Sequence, residues 1–526
     1  MPLPDAILDR VRRVAEYHEQ SKLPIRDASA AADSGAPRPS AFRFFSDVPR
    51  TVLPTQLLSS STETVSLLRR GMEAVPESQL QPAQNLLTLA TWLYLGGGGL
   101  PGRGPERPRT YSSEESLFPC EIYAAVFAID GLEPGLYHFC VRDFALDKLR
   151  GGWETLSQIK RGRPELEFLK TTPAVLLFST IFCRSTWKFA LRGYRHAAFD
   201  AGRLMQNFST VGAALGIQTL VRLTANAQSM NGLIGLPGDA AYADAEAVQG
   251  MVIWADRAAR PMTAPNDKSP ARMSPLARNP LAEAVVPYDS IPSIHKDCVA
   301  PGVTIREVRP PLTEFSPLPE TMATEDFPDP DAVGEFEGGE SISRLLLSPT
   351  PAGGFSGATI SRDRLWNLAR CAFRWGTSYP LFPDGPHVAL ARPLWIIQNV
   401  PGVDRGAWGY DPARDVWVCL RTGDFGRDSE RLTLSNPGFI GAAAVCFMIA
   451  NLYRLMAEAG PDLYRLAHLE AGAAAQRLEL SARAIELGAC ATTAFLDDDI
   501  RRFFGLDRTF WHPLCAVAIG VPNRAV

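Results

Sequence analysis

The sequence predicts an α+β protein made of two fused copies of one domain. Residues 129–139 return as residues 400–410, and residues 193–206 return as residues 463–476. The two matches occur in the same order, and their offsets differ by one residue across a long span. Short glycine and tyrosine patterns often match by chance, but two matches at nearly the same offset indicate a tandem duplication.

Each copy contains the same predicted order of elements. A helix that ends near a glycine is followed by a strand pair, an apolar strand, a second helix and a last apolar strand. In the first copy these elements are predicted at residues 86–95, 121–128, 135–140, 174–181, 194–216 and 248–254. In the second copy they are predicted at residues 365–373, 394–400, 407–410, 441–450, 464–488 and 514–519. Strands mixed with helices are typical of the α+β class.

The composition changes between the two copies. Residues 257–341 are rich in proline, partly acidic and poor in periodic apolar runs, which predicts an extended linker or arm. We therefore expect an N-terminal extension (1–60), a first domain (61–256), this linker (257–341) and a second domain (342–526).

The bulk composition argues against several classes of protein. A net charge of −4 gives no basic stripe and therefore no nucleic-acid partner. The longest apolar run, residues 438–450, is shorter than the roughly 20 residues of a membrane-spanning helix. The nine cysteines form no CxxC pair, and the N-terminus has no apolar signal segment, which together predict a cytoplasmic protein.

Two local features are interpreted as having no ligand. The run of glycines at residues 96–99 lacks the Lys-Ser/Thr that follows a phosphate loop, so we expect a flexible loop there. His18, His138 and His196 are isolated along the chain, without metal-ligand spacing, so no metal is expected.

Four short motifs in the first copy resemble those of a known enzyme family. They are Tyr17-His18-Glu19-Gln-Ser21-Lys22, Arg69-Arg70-Gly71, the segment from Ser113 to Tyr123, and Trp187-Lys188-Phe189 followed by Arg192-Gly-Tyr194-Arg195. They are similar to motifs of SagB-type dehydrogenases, which belong to the FMN-dependent nitroreductase superfamily. The resemblance runs through most of residues 10–255 and, more weakly but in the same order, through residues 342–522.

This resemblance implies an activity and an assembly. SagB-type enzymes oxidise thiazoline and oxazoline rings in ribosomally made peptides to thiazoles and oxazoles, with dioxygen reoxidising the flavin. An azoline-containing precursor peptide is then the expected substrate, and a cyclodehydratase the expected partner. The superfamily forms dimers with FMN at the interface, so two fused nitroreductase-like domains imply an intramolecular pseudo-dimer, monomeric or further associated. Covalent linkage would raise the effective concentration of the second half.

The resemblance also implies phosphate-binding residues. Arg69 and Arg70, with Gly71, stand where the superfamily has Arg-Arg-Ser, and guanidinium groups bind a phosphate dianion through charge-assisted hydrogen bonds. The second copy has Ser348-Pro349 at this place. Further candidates from the first copy are Arg257 and Arg260. The alternative is that all these arginines are ordinary, solvated surface residues.

One loop departs from the family pattern. Glu114 and Glu115 replace two glycines that let the backbone approach the flavin, and carboxylates beside an anionic phosphate are unfavourable. In the second copy, Pro383-Asp384-Gly385 retains a glycine. We therefore expect one FMN per chain, held by the first copy's arginines and the second copy's loop.

Lys188 and Tyr194 are the catalytic candidates. Azoline oxidation removes a carbon-bound proton and passes a hydride to the flavin, and a neutral lysine can take that proton. The family's tyrosine after this lysine is Phe189 here, so Tyr194 or Tyr123 would have to supply a phenol. A surface lysine without a catalytic role is the simpler alternative. Two other functions stay open: an NAD(P)H-dependent nitro or enone reductase, and a flavin-free peptide-binding scaffold.

Overall fold

A computed structural model describes most of the chain. The described residues are 3–23, 36–101, 108–152, 172–223, 231–232, 234–235, 245–255, 278–282, 285–299, 324–325, 339–348, 354–374 and 389–523. The chain divides into two compact units. Unit 1 comprises Met1–Ala31, Glu63–Gly71 and Gly302–Val526, and unit 2 comprises Ala32–Thr62 and Met72–Pro301.

The described residues form the following helices and strands. The helices are α1 Asp5–Gln20, α2 Thr64–Arg70, α3 Leu86–Gly97, α4 Phe182–Phe189, α5 Gly193–Ala214, α6 Ser290–Val299, α7 Ile342–Leu347, α8 Arg362–Phe373, α9 Gly426–Leu432, α10 Leu452–Ala459, α11 Asp462–Ala484 and α12 Asp497–Phe503. The strands are β1 Arg50–Val52, β2 Cys120–Val126, β3 Gly135–Cys140, β4 Ala145–Gly151, β5 Ala174–Ile181, β6 Thr219–Leu223, β7 Glu246–Trp254, β8 Thr324–Glu325, β9 Arg392–Ile397, β10 Gly406–Asp411, β11 Val416–Thr422, β12 Ala444–Ala450, β13 Gly488–Thr492 and β14 His512–Gly520.

Each unit is built on one antiparallel sheet. The sheet of unit 2 has the order β1-β4-β3-β2-β5-β7-β6, and the sheet of unit 1 has the order β13-β14-β12-β9-β10-β11-β8. When the order of the unit 1 sheet is reversed, it matches the order of the unit 2 sheet strand for strand. The short strands β1 and β8 then lie at corresponding edges. This match confirms both the α+β class and the tandem duplication.

The central strands of both sheets are apolar because both of their faces are covered. Every residue of β2, β3, β5 and β7 is buried, as is every residue of β12 and β14. Strands covered on both faces read as continuous apolar runs, which is why these were predictable from the sequence. The outer strands β4 and β11 carry charged residues and have no such run, and they were not predicted.

A long central helix packs on each sheet, α5 in unit 2 and α11 in unit 1. In unit 2, α3 lies against α5: the Trp92 indole donates to the carbonyl of Phe208 at 2.8 Å, and the Asn207 amide donates to the carbonyl of Gly96 at 2.8 Å. A Cβ on Gly96 would lie 2.5 Å from the Phe208 ring. The expected flexible loop is therefore wrong for Gly96 and Gly97, which belong to α3 and allow close helix packing.

The described residues of the range that was expected to be an extended linker include one helix. Residues Ser290–Val299 form α6 in unit 2, with Ile291, Ile294 and Cys298 buried along one side. The proline-rich surroundings hid this short amphipathic pattern. Among the helices of the described ranges, none combines the length and the apolar character that a bilayer crossing requires.

Candidate functional site

Lys188 lies at the end of α4, next to the loop that precedes β2. Its side chain is 30% exposed, and its Nζ lies 3.8 Å from Oε1 of Glu115. The rest of α4 is largely buried, because β5 leads directly into it from the centre of the sheet. The structure therefore brings together two motifs, residues 113–123 and 187–189, that are far apart along the chain.

The loop at residues 113–118 keeps a backbone typical of glycine. Glu115, Ser116 and Phe118 have φ angles of 54°, 52° and 43°, in the left-handed region that side chains with a Cβ disfavour. Arg38 holds the turn by donating to the carbonyls of Glu115 and Ser116 at 2.9 and 2.8 Å. The glycines expected from the family are replaced here by glutamates, but the backbone of Glu115 still has the left-handed conformation that glycine adopts easily.

A buried acid of α5, Asp200, holds this loop, and His196 lies one helical turn before it on the same helix. The Ser113 hydroxyl donates to the Asp200 carboxylate and accepts from the backbone N–H of Phe118 at 3.0 Å. Burial raises the pKa of Asp200 to about 7, against the opposing effect of Arg203 and the Ser113 hydrogen bond. Burial lowers the pKa of His196 to about 4, so its ring is neutral near pH 7. The loop is therefore anchored to an acid that titrates near neutral pH.

The tyrosines that were expected to replace the missing phenol are engaged inside unit 2. The Tyr194 hydroxyl lies 3.2 Å from Nδ1 of His295, and the Tyr123 hydroxyl donates to Glu246 at 2.8 Å. Phe189 is 8% exposed, and its ring centroid lies 4.6 Å from that of His196. The catalytic roles of Lys188 and Tyr194 stay predictions.

A buried ion network that sequence analysis missed fixes the position of α4. Nη1 of Arg184 lies 2.7 Å from Oε1 of Glu121 and donates to the carbonyl of Phe118 at 3.0 Å. Burial raises the pKa of Glu121, but Arg184 and His138, which lies 2.8 Å away, outweigh burial and lower it to about 2. The feature of the sequence that could have predicted this network is the presence of charged residues within the otherwise apolar segments of β2 and α4.

Unit 1 contains the predicted phosphate-binding arginines. Arg69 and Arg70 are exposed at the end of α2, and Gly71 follows with a φ of 56°. Buried Arg477 of α11 anchors this helix by donating to the carbonyl of Leu68 at 2.5 Å. The corresponding helix α7 ends in Leu347-Ser348 and carries no such pair. The other candidates, Arg257, Arg260, Pro383, Asp384 and Gly385, lie outside the described residues.

Comparisons with known proteins find the same type of domain in each half of the chain. The nitroreductase family model matches the chain twice, at residues 140–253 and 408–521. A crystal structure of a protein from Anabaena variabilis, named a nitroreductase, aligns over 97% of this chain and 99% of its own, with 18% identity and a TM-score of 0.72. A Methanocaldococcus jannaschii protein named a nitroreductase is 28% identical over 142 residues, which make up 26% of this chain and 70% of that protein.

A third comparison is weaker. One chain of the solved E. coli microcin synthetase complex McbBCD with truncated pro-MccB17 bound aligns over 47% of this chain and 93% of its own length, with 17% identity and a TM-score of 0.30. That similarity is too low to carry an argument. The family matches and the Anabaena structure show two nitroreductase domains in tandem.

The raised pKa of Asp200 should make the chain less stable as pH rises from about 4 to about 7. In this window the folded chain keeps a proton that the unfolded chain releases, so unfolding is increasingly favoured. Asp200→Asn keeps an acceptor for Ser113 but does not titrate. Between about pH 4 and about pH 7, the decrease in unfolding free energy should be up to about 4 kcal/mol smaller in Asp200→Asn than in the wild type. Urea unfolding across the window measures this difference, and equal slopes would contradict the prediction.

The left-handed backbone at Glu115 should favour glycine. Glu115→Gly relieves a cost of roughly 1–2 kcal/mol and loses roughly 0.5–1 kcal/mol of backbone entropy, so its unfolding free energy should rise by about 0.5–1 kcal/mol. Glu114→Gly is the matched control, because Glu114 has no positive φ, and it should lower stability. Chemical denaturation of both variants tests this, and destabilisation of both would refute the strained backbone.

Proposed function

We propose that this chain, which contains two nitroreductase domains in tandem, is an FMN-dependent dehydrogenase that oxidises thiazoline or oxazoline rings in a ribosomally made peptide to thiazoles or oxazoles. The observation that carries the proposal is the approach of Lys188 to Glu115, 3.8 Å apart. Both lie in motifs that resemble SagB-type dehydrogenases. Their meeting within unit 2 supports the view that these motifs serve one site.

The chain has residues suited to the phosphate of FMN. Arg69 and Arg70 are exposed at the end of α2, and two guanidinium groups can bind a phosphate dianion through paired, charge-assisted hydrogen bonds. Gly71 turns the chain away with a φ of 56°, which glycine adopts without a steric cost. Because α7 lacks an arginine pair, we propose one FMN per chain.

Lys188 is proposed to be the base. Oxidation of an azoline ring to an azole removes one proton and one hydride from neighbouring ring atoms; bound FMN supplies the hydride acceptor. The Lys188 amine, in its neutral form, would take the proton at Nζ. With a side chain that is 30% exposed, Lys188 can reach a ring carried by a polypeptide outside the protein core. A cyclodehydratase would supply the azoline, and dioxygen would accept the electrons.

Flavin binding should depend on the arginines of α2. The purified chain should be yellow with about one FMN per chain, and Arg69→Ala combined with Arg70→Ala should weaken FMN binding by at least about tenfold, because each charge-assisted bond contributes about 1.5–3 kcal/mol. Arg344→Ala is the matched control on α7, since its side chain is 82% exposed. Flavin absorbance after gel filtration measures the stoichiometry. A value near two per chain, or a colourless protein after reconstitution, would contradict the proposal.

Turnover should depend on Lys188. Lys188→Ala should keep its flavin but lose azole formation by about 10²–10⁴-fold, the usual contribution of a general base. Lys148→Ala is the control, because Lys148 pairs with Glu133 at 2.5 Å on the surface of unit 2. Mass spectrometry of an azoline peptide detects the loss of two hydrogens. Unchanged turnover would remove Lys188 from the mechanism, and rapid bleaching by NADPH without peptide oxidation would favour a nitro or enone reductase.

A further inference from the structure

Unit 1 brings two histidines and a carboxylate together beside an open cavity. Nε2 of His18, near the end of α1, lies 3.1 Å from Nδ1 of His512, the first residue of β14. One ligand atom each from His18, Glu19 and His512 lies within 4.8 Å of the others. The two histidines are 494 residues apart along the chain, so a search for local ligand spacing does not find them.

Neighbouring side chains orient the members of this cluster. The Tyr464 hydroxyl lies 3.2 Å from Nδ1 of His18, which leaves Nε2 of that ring directed toward His512. The Tyr453 hydroxyl donates to the Glu19 carboxylate. In metal sites the ligands are commonly held in this way by outer hydrogen bonds, which fix the ring orientation and the tautomer of a histidine.

The spacing fits a tetrahedral metal ion. Zinc–nitrogen bonds of about 2.0–2.1 Å at a tetrahedral angle place two nitrogens roughly 3.3 Å apart, close to the observed 3.1 Å. Both histidines are buried, at 0% and 1% exposure. The Glu19 side chain is 51% exposed. Glu19 and His512 line a solvent-open cavity of about 720 Å³, which leaves room for a water or another ligand at a fourth position.

We propose that His18, Glu19 and His512 form a binding site for a divalent transition metal of the Zn²⁺ class. Imidazole ligands favour Zn²⁺ and its neighbours over Mg²⁺ and Ca²⁺, which prefer oxygen. Two nitrogens, one carboxylate and an open position form a set that zinc accepts.

The duplicated half supplies an internal comparison. In unit 2, α6 carries His295, whose Nδ1 lies 3.2 Å from the Tyr194 hydroxyl, as Nδ1 of His18 lies from Tyr464. Lys296 follows His295 where Glu19 follows His18. The first residue of β7 is Glu246, paired with the last residue of β5, as His512 pairs with the last residue of β12. The His–Tyr contact is therefore common to both units, whereas the other two ligands belong to unit 1.

A lysine competes with the metal for the carboxylate. Lys22 lies 2.7 Å from Oε2 of Glu19 and 3.0 Å from Asp498. Zn²⁺ binding to Glu19 has to displace or share this contact. Removal of Lys22 should therefore strengthen Zn²⁺ binding, whereas removal of any ligand should weaken it.

Calorimetric titration of the full chain with ZnCl₂, after EDTA treatment and dialysis, tests the site. We expect about one Zn²⁺ per chain and no comparable binding of Mg²⁺. His18→Gln and His512→Gln should each weaken binding by more than about 100-fold, and Tyr464→Phe by about 10–100-fold, the usual effect of an outer hydrogen bond. Lys22→Met should tighten binding. Co²⁺ in place of Zn²⁺ should give visible absorption that His512→Gln abolishes.

Matched variants in unit 2 are the controls. His295→Gln and Tyr194→Phe change the same residue types in the same contact and should leave Zn²⁺ affinity unchanged. Glu19→Gln keeps the test decisive if a buried variant fails to fold, because Glu19 is half exposed. Absence of Zn²⁺ binding, unchanged affinity in both His512→Gln and Glu19→Gln, or an equal loss in His295→Gln would each overturn the proposal and leave an ordinary hydrogen bond between two histidines.

Discussion

The buried ion pair between Glu121 and Arg184 is the contact on which the geometry around Lys188 depends. It joins the start of β2 to the first turn of α4, with exposures of only 4% and 1% for the two side chains. Arg184 also donates to the carbonyls of Ser40 and Phe118, at 2.7 and 3.0 Å. Loss of one partner from such a pair typically costs about 3–5 kcal/mol, because a buried charge remains uncompensated. One guanidinium thus fixes the strand, the helix and the end of the loop relative to each other.

The acid on the central helix serves the same purpose in both units by different bonds. Asp200 of α5 accepts from the Ser113 hydroxyl ahead of β2. Glu470, at the matching place on α11, accepts from the backbone N–H groups of Leu390 and Ala391, at 3.0 and 2.9 Å, ahead of β9. Each acid therefore tethers the segment that enters the sheet. In unit 2 this tether, together with Arg38, over-determines the loop, and an over-determined loop can keep the left-handed backbone at Glu115 without a glycine.

The sequence sufficed for those elements whose burial is uniform. Strands β5, β7 and β14 were predictable because most of their residues are apolar, and α5 because its apolar residues recur at helical spacing. The strand β4 was missed because Asp147, Lys148 and Arg150 interrupt its pattern. Asp147 is buried only because Arg50 and His138 pair with it. The sequence of β4 alone does not contain these two partners. For the site, the motifs around Glu115 and Lys188 were identifiable, but their meeting depends on the fold.

The duplication also shows which contacts the fold itself needs. In both units a tyrosine at the start of the central helix meets a histidine 3.2 Å away, on a helix from outside the repeated sheet. The histidine on α1 lies in unit 1 with the second sheet, and the one on α6 lies in unit 2 with the first. Each preceding helix thus joins the other copy's sheet, so neither copy folds from a continuous segment. Because this His–Tyr contact is present in both units, we infer that it stabilises the fold. Functional differences are then to be sought where the two units diverge, at His512 against Glu246 and at the end of α2 against the end of α7.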